Sequence, residues 1–246
     1  METQMTTCRH TFFPCDVPQY ERCSICGTYH SLGALDPKEI YDKDYWSEKW
    51  GHGTIQDQNY NVEKHLENGV SKNEFVISLI WDRDRTAALE IACSPGSLLK
   101  RLHELDYLGV NGIEVDPAYE KEILEMAHYS NIGLEFGYFP EVTKGHEPGR
   151  NSLVLGLDIF EHAHDPEAFL AECHRLLKPN GQLLLMMPMV EISGRRNLPD
   201  RFFHPIEHVY IHSQDHILRL LLDHGFTAIK FDRWTAGHET VTARKL

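Results

Sequence analysis

The chain has 246 residues, 41% apolar and 25% charged, enough to bury one large core and far from a disordered composition. Its 24 basic and 37 acidic side chains give a formal net charge of −13, a field that repels phosphate backbones and anionic membrane surfaces. Apolar runs such as Leu183 to Met189 cover about a third of a membrane span, and no basic-then-apolar leader opens the chain. The expectation is a cytoplasmic protein with neither nucleic acid nor membrane as its main partner; a homodimer is left open.

Residues 1–34 form a cysteine-rich segment. Cys8, Cys15, Cys23 and Cys26 fall within nineteen residues. In a reducing compartment such a cluster reads as metal ligands rather than disulfides. Cys23-x-x-Cys26-Gly27 has the spacing of half a zinc knuckle, with Gly27 easing the turn. Cys8 and Cys15 stand seven apart, so His10 is an alternative to one of them. A structural zinc on four of Cys8, His10, Cys15, Cys23 and Cys26 is expected; a flexible tail with free thiols is the competing reading.

Residues 35–83 read as an aromatic-rich cap (Tyr41, Tyr45, Trp46, Trp50) and a lead-in helix over 61–80, with Val62, Leu66, Val70, Phe75 and Leu79 on or near one face. From there short apolar strands alternate with helices. Strands are expected at Ala87–Ala92, Leu108–Val115, Ile132–Phe136, Leu153–Leu157 and Leu183–Met187. Helices are expected at Leu98–Leu105, Pro117–Tyr129, Pro166–Leu177 and Ser213–Asp223. Two closing strands, Thr227–Phe231 and Thr240–Ala243, lack a helix between them. The pattern predicts an α/β, Rossmann-like, mostly parallel seven-stranded sheet, helices on both faces and an antiparallel last strand.

Two strand ends carry chemistry. After Leu89-Glu90-Ile91, the small residues Ala92-Cys93-Ser94-Pro95-Gly96-Ser97 make a tight strand-to-helix turn that lets a ligand approach the backbone. Gly112-Ile113-Glu114-Val115-Asp116 ends the neighbouring strand in acids, and Glu114 is placed to accept both hydroxyls of a ribose; Asp116 suits a helix cap. The full G-x-G-x-x-G fingerprint is absent, since Ala92 and Ser94 stand where glycines are expected, which tilts against a dinucleotide.

Leu89 to Gly96, Asp158-Ile159-Phe160-Glu161-His162-Ala163-His164-Asp165-Pro166, and Arg175-Leu176-Leu177-Lys178-Pro179-Asn180-Gly181 occur in the order found in class I S-adenosylmethionine-dependent methyltransferases. Residues 84–246 resemble the small-molecule group of that class. The resemblance implies that the amino-acid end of S-adenosylmethionine lies near Glu90, Ala92 and Gly96. It places the ribose at Glu114, the adenine near Val115, Tyr138 and Phe139, and Asp158 beside the methyl group. It also implies that 189–211 covers the acceptor. Some small-molecule members carry an amino-terminal zinc-ribbon-like unit with two C-x-x-C pairs; this chain resembles it in the second pair only.

Among sixteen histidines, two stand at the functional edge. His208, in Glu207-His208, is the leading candidate for a base and His162 the second; a hydrogen-bonded pair that fixes the lid is the plainer reading of Glu207-His208. The i, i+4, i+8 spacing of His204, His208 and His212 would need a helix to hold a metal, and Pro205 with Val209-Tyr210-Ile211 argues against one. The activity expected is direct in-line methyl transfer to O, N or C of a metabolite. A non-catalytic S-adenosylmethionine-binding regulator and a protein methyltransferase are the alternatives.

Overall fold

The apolar run Leu183–Met187 has to find apolar surface on both sides of a strand, and it does. Leu183, Leu185 and Met187 enter one core cluster, Leu184 and Met186 another. The computed structural model describes residues 10–40, 72–81, 84–94, 96–116, 131–190, 202–235 and 238–246. The expectations for Cys8, Tyr41 to Trp50, Pro95, residues 61–71 of the lead-in helix and the helix over 117–129 lie outside these residues.

In chain order the strands are β1 (Phe12–Pro14), β2 (Tyr20–Cys23), β3 (Tyr29–Ser31), β4 (Ala87–Ile91), β5 (Gly109–Glu114), β6 (Ile132–Phe136), β7 (Asn151–Leu157), β8 (Leu177–Val190), β9 (Tyr210–Ser213), β10 (Phe226–Thr235) and β11 (His238–Lys245). The helices are α1 (Pro37–Ile40), α2 (72–78), α3 (Ser97–Glu104), α4 (Pro166–Leu176) and α5 (Gln214–Asp223). The main sheet runs β6-β5-β4-β7-β8-β11-β10. Pairings from β6 through β8 are parallel, and β11 is antiparallel to both its neighbours. The last strand is thus antiparallel as expected, but it inserts between β8 and β10 instead of closing the edge.

Side chains of α4 and α5 fill one face, with Phe169, Leu170, Cys173, Ile217, Leu220 and Leu221 buried beside β7 and β8. Leu98, Leu99 and Leu102 of α3 and Val76 of α2 fill the other. The helix starts follow capping chemistry. Asp165 accepts from the Ala168 amide (2.9 Å) and Ser213 from the His216 amide (3.1 Å). No helix among the described residues is long and apolar enough to cross a membrane.

Two differences from the sequence reading matter. First, Pro179-Asn180-Gly181 does not leave the sheet. β8 begins directly after α4 and absorbs these residues as an irregularity, pairing Leu177 with Asn151 and then Gln182 with Leu153. A Cβ on Gly181 would stand 2.9 Å from the Lys178 carbonyl oxygen, so glycine lets the strand fold over itself there. Second, the amino-terminal segment supplies strands that the sequence reading did not expect. β3 pairs antiparallel with β9, and β9 pairs parallel with the end of β8 through Met189–His212 and Val190–Ser213. Val17, Tyr20, Tyr29, Val190 and Ile211 share a buried cluster against Phe202 and Phe203. Tyr29 is buried in that cluster.

Candidate active site

The turn after β4 is built from left-handed backbone: φ is +57° at Ala92, +49° at Ser94 and +79° at Gly96. Glycine would suit the first two positions as it does the third, because a Cβ in this region costs roughly 1–2 kcal/mol. Replacing Ala92 with glycine is therefore expected to stabilise the fold by about 0.5–1 kcal/mol after the added chain entropy of glycine is subtracted. Urea denaturation of the two forms checks this; a less stable Ala92→Gly protein would contradict it. The turn lies hard against β5. A Cβ on Gly112 would meet Cys93 Sγ and a Leu99 methyl, each at 2.7 Å. Cys93 is a core thiol, pushed well above its ordinary pKa by burial and then by the charges of Glu90 and Glu114.

Glu114 ends β5 and bridges the two strand ends. One carboxylate oxygen accepts from the Ser94 amide (2.7 Å), the other from the Val115 (2.8 Å) and Asp116 (3.0 Å) amides. Burial raises its pKa and these amides oppose the rise. Glu90, on β4, is 4% exposed, and its Oε2 has no hydrogen-bond partner among the described residues. Its pKa rises well above the carboxylate range through burial, with the Lys72 charge opposing and Glu114 adding to the rise. A buried carboxylate with an unsatisfied oxygen at a cleft is a group prepared for a cation.

The loop after β6 closes on the same place, since the Gly137 amide donates to the Glu114 carbonyl (2.9 Å). Of the two aromatics expected at the adenine, Phe139 sets its ring edge-on against Phe169 at 4.7 Å between centroids and belongs to core packing. Tyr138 stays partly exposed, with the Lys38 ammonium 5.8 Å from its ring. Val115 contributes its amide to Glu114 as described.

Beyond β7, Asp158 takes up a left-handed conformation (φ +54°) and pairs with Lys72 of α2 and His238 of β11. Burial would raise its pKa, but the His238 hydrogen bond and the Lys72 charge outweigh burial and hold it well below the usual range. Asn73 Nδ2 donates to Ser97 Oγ (3.0 Å), tying α2 to the turn after β4. Sequence reading missed both partners of Asp158. Lys72 has no local signal. His238 could have been placed, because a final strand antiparallel to β8 starts at the functional end of the sheet.

A short 3₁₀ turn, Phe160–His162, brings the two expected histidines together. The rings of His162 and His208 lie 4.8 Å apart at 87°. One ligand atom from each of Glu161, His162 and His208 falls within 4.8 Å of the others. His208 Nδ1–H donates to the Phe202 carbonyl (2.7 Å), which leaves Nε2 as the lone-pair nitrogen. The amino-terminal sheet holds the segment in place: Tyr20 Oη–H donates to the His208 carbonyl (3.0 Å) and the Ser31 amide to Val209 (2.9 Å). His212 is not part of this group; it is fully buried, stacked on Phe160 at 5.0 Å.

The cysteine unit forms a second cluster from His10, Cys23 and Cys26, whose ligand atoms also lie within 4.8 Å of one another. His10 Nδ1 is 3.6 Å from Cys26 Sγ. Burial opposes ionisation of Cys23, but amides of the knuckle and His10 bring its pKa down to about 6, the thiolate form that zinc takes. Cys15, expected among the ligands, is not one of the three residues of this cluster. Its Sγ lies outside the cluster and donates to the Tyr20 carbonyl (3.2 Å), because β1 and β2 carry it to the far end of their hairpin. Zinc on His10 Nδ1 would leave Nε2–H to donate to His216 Nε2 (3.1 Å), and His216 in turn meets His212 Nδ1 through Nδ1 (3.0 Å). This histidine chain runs from the knuckle to Phe160, at the turn that carries Glu161 and His162.

His212 and His216 are held neutral: burial first, then neighbouring histidines, lower both pKa values, that of His216 to about 3. A folded pKa below the unfolded value of about 6.5 gives stability that is complete above that pH and lost as pH falls toward 3. The urea midpoint is expected to be flat from pH 7 to 8 and to fall steadily below pH 6.5; a midpoint unchanged down to pH 4.5 would contradict neutral burial.

The strand order defines a Rossmann-like α/β fold, with acids near the ends of β4 and β5 and a histidine pair beyond β7. A family model described as a methyltransferase domain matches residues 71–230, and the chain belongs to that family. It is 35% identical over 113 residues to a ubiquinone biosynthesis O-methyltransferase of Caulobacter vibrioides, covering 41% of this chain and 43% of that protein's length. Among solved structures it is similar to human N-acetylserotonin methyltransferase in complex with SAM, at TM-score 0.63 and 16% identity over 86% of this chain and 60% of that one. It is similar also to the putative methyltransferase bound to the Haloferax volcanii Trm112 activator, at TM-score 0.66 and 12% identity over 82% and 97%. The structural likenesses show the fold.

Proposed function

We propose that this protein transfers the methyl group of S-adenosylmethionine to an oxygen atom of a small molecule. The observation that carries the reading is the pair of buried acids at adjacent strand ends, Glu90 with an unsatisfied Oε2 and Glu114 bridging the turn. They suit a ligand with an ammonium at one end and ribose hydroxyls further along. Bound there, S-adenosylmethionine supplies an electrophilic methyl on a cationic sulfur. Glu90 faces the ammonium, Glu114 accepts from the ribose, and Gly96 lets the backbone come close. Tyr138 borders the adenine. Asp158, kept charged by Lys72 and His238, favours the positive methyl and sulfur. His208 Nε2 takes the proton of the acceptor hydroxyl, with His162 beside it.

Choice of oxygen draws support from the name of the Caulobacter relative. The net charge of −13 supports a small, non-nucleic-acid acceptor, and a cytoplasmic location belongs to the same reading. Residues 202–209 serve as the described part of the acceptor cover. The test is single-turnover formation of S-adenosylhomocysteine with a panel of phenols, catechols and simple alcohols. His208→Ala is expected to lower the rate by about 100-fold or more while S-adenosylmethionine affinity stays within about twofold. An unchanged rate removes His208 from the chemistry. Binding without turnover on every acceptor would favour a non-catalytic protein.

A further inference from the structure

We infer that Lys72 sets how strongly this protein prefers cationic S-adenosylmethionine over neutral S-adenosylhomocysteine, by sharing the Asp158 carboxylate with the sulfur of the ligand. The inference deepens the proposed function and rests on its placing of Asp158 beside that sulfur.

The two ligands have the same ammonium, carboxylate, ribose and adenine. They differ by one methyl group and by the charge that it puts on sulfur. The ratio of their affinities therefore reports the electrostatic field at sulfur. Asp158 meets two partners among the described residues, and they come from different elements: Lys72 from α2 and His238 from β11. The ion pair with Lys72 is the one whose charge is permanent near neutral pH.

The start of α2 is held in place, so Lys72 is not a loose surface chain. Next to it, Asn73 Nδ2 donates to Ser97 Oγ (3.0 Å). One turn on, Val76 is fully buried in the core. Beyond the helix, Gln182 Nε2 donates to the Leu79 carbonyl (2.9 Å) and Gln182 Oε1 accepts from the Trp81 amide (2.9 Å). The same ammonium bears on two further acids. Burial raises the pKa of Glu90 and of Glu161, with Asp158 adding to the rise at Glu161, and the Lys72 charge opposes the rise at both. One lysine thus serves three carboxylates around the ends of β4 and β7.

Such a cation has a use in methyl transfer. Acids that grip a full positive charge on sulfur stabilise the bound substrate. The acceptor oxygen then forms the O–C bond, the C–S bonding pair passes to sulfur and the hydroxyl proton passes to the base. Sulfur loses its charge along this path, so the grip weakens toward the transition state and raises the barrier by the difference. Lys72 takes up part of the Asp158 charge in advance and limits that loss.

The experiment is isothermal titration of the full chain with S-adenosylmethionine and with S-adenosylhomocysteine, for wild type, Lys72→Met, Asp158→Asn and the double variant. The quantity read is the S-adenosylhomocysteine Kd divided by the S-adenosylmethionine Kd. Lys72→Met keeps the apolar stem and is expected to raise the ratio about fivefold or more, and Asp158→Asn to lower it about fivefold or more. The double variant is expected to return within about threefold of wild type, since the two charges cancel. Lys72→Gln is expected to act as Lys72→Met does and replaces it if the methionine form does not unfold cooperatively. A loss of affinity equal for both ligands overturns the inference, because Lys72 then holds a group that they share. A ratio moved by the lysine variants but not by Asp158→Asn overturns it too. In either case both ligands still bind wild type and the methyltransferase reading stands. Binding of neither ligand by wild type removes that reading and this inference together.

Discussion

Replacing Glu114 with alanine is expected to cut S-adenosylhomocysteine affinity by at least 10-fold and to destabilise the fold by at least about 3 kcal/mol, since charged hydrogen bonds contribute about 1.5–3 kcal/mol each. Both effects come from one carboxylate. It accepts from the Ser94, Val115 and Asp116 amides, so alanine leaves three donors at the adjacent ends of β4 and β5 without this acceptor. The same oxygens are offered to the ribose. For a chain of this length the stability loss corresponds to a Tm drop of roughly 6–12 °C. Calorimetric titration and a thermal scan read the two effects separately. Full affinity in the variant would remove Glu114 from the ligand site, and full affinity with an unchanged Tm would contradict its place in the turn.

Cys26→Ser is expected to have a comparable reach by a different route. Its thiol belongs to the cluster with His10 and Cys23, and the sheet that this cluster closes holds the His208 segment through Tyr20, Tyr29 and Ser31. Zinc held by this cluster would contribute several kcal/mol of folding free energy, which the variant would lose. The variant should show a Tm lower by about 10 °C or more and methyl transfer reduced by about 10-fold or more, since misplacement of a catalytic group by about 1 Å can cost 100-fold. S-adenosylhomocysteine affinity should change less than about threefold, because Glu90 and Glu114 lie on other strands. An equal loss of cofactor affinity would mean that the amino-terminal unit supports the whole fold rather than the acceptor side.

The sheet was legible because its strands are short apolar runs separated by capped helices, and β8 advertises burial on both faces. Glu90, Ala92, Gly96 and Glu114 were chosen for a local reason: a strand, a tight turn and an acid ending the next strand lie within one stretch of chain. Positive φ at Ala92 and Ser94 accounts for the glycines expected there. His162 and His208 were chosen singly, and the fold joins them. What stayed hidden is tertiary. β1, β2 and β3 have three or four residues each, too few to show a period. His10 meets His216 across 206 residues. Cys15 was read as a ligand from the clustering of four cysteines, and the β1–β2 hairpin sets it at the opposite end from Cys23.

The central claim is that the ends of β4 and β5 hold the nucleoside and amino-acid parts of S-adenosylmethionine. Isothermal titration of the full chain with S-adenosylhomocysteine tests it most directly. One saturable site per chain, weakened in Glu114→Ala, is predicted. The absence of any binding heat at millimolar ligand, from protein that unfolds cooperatively, would contradict it.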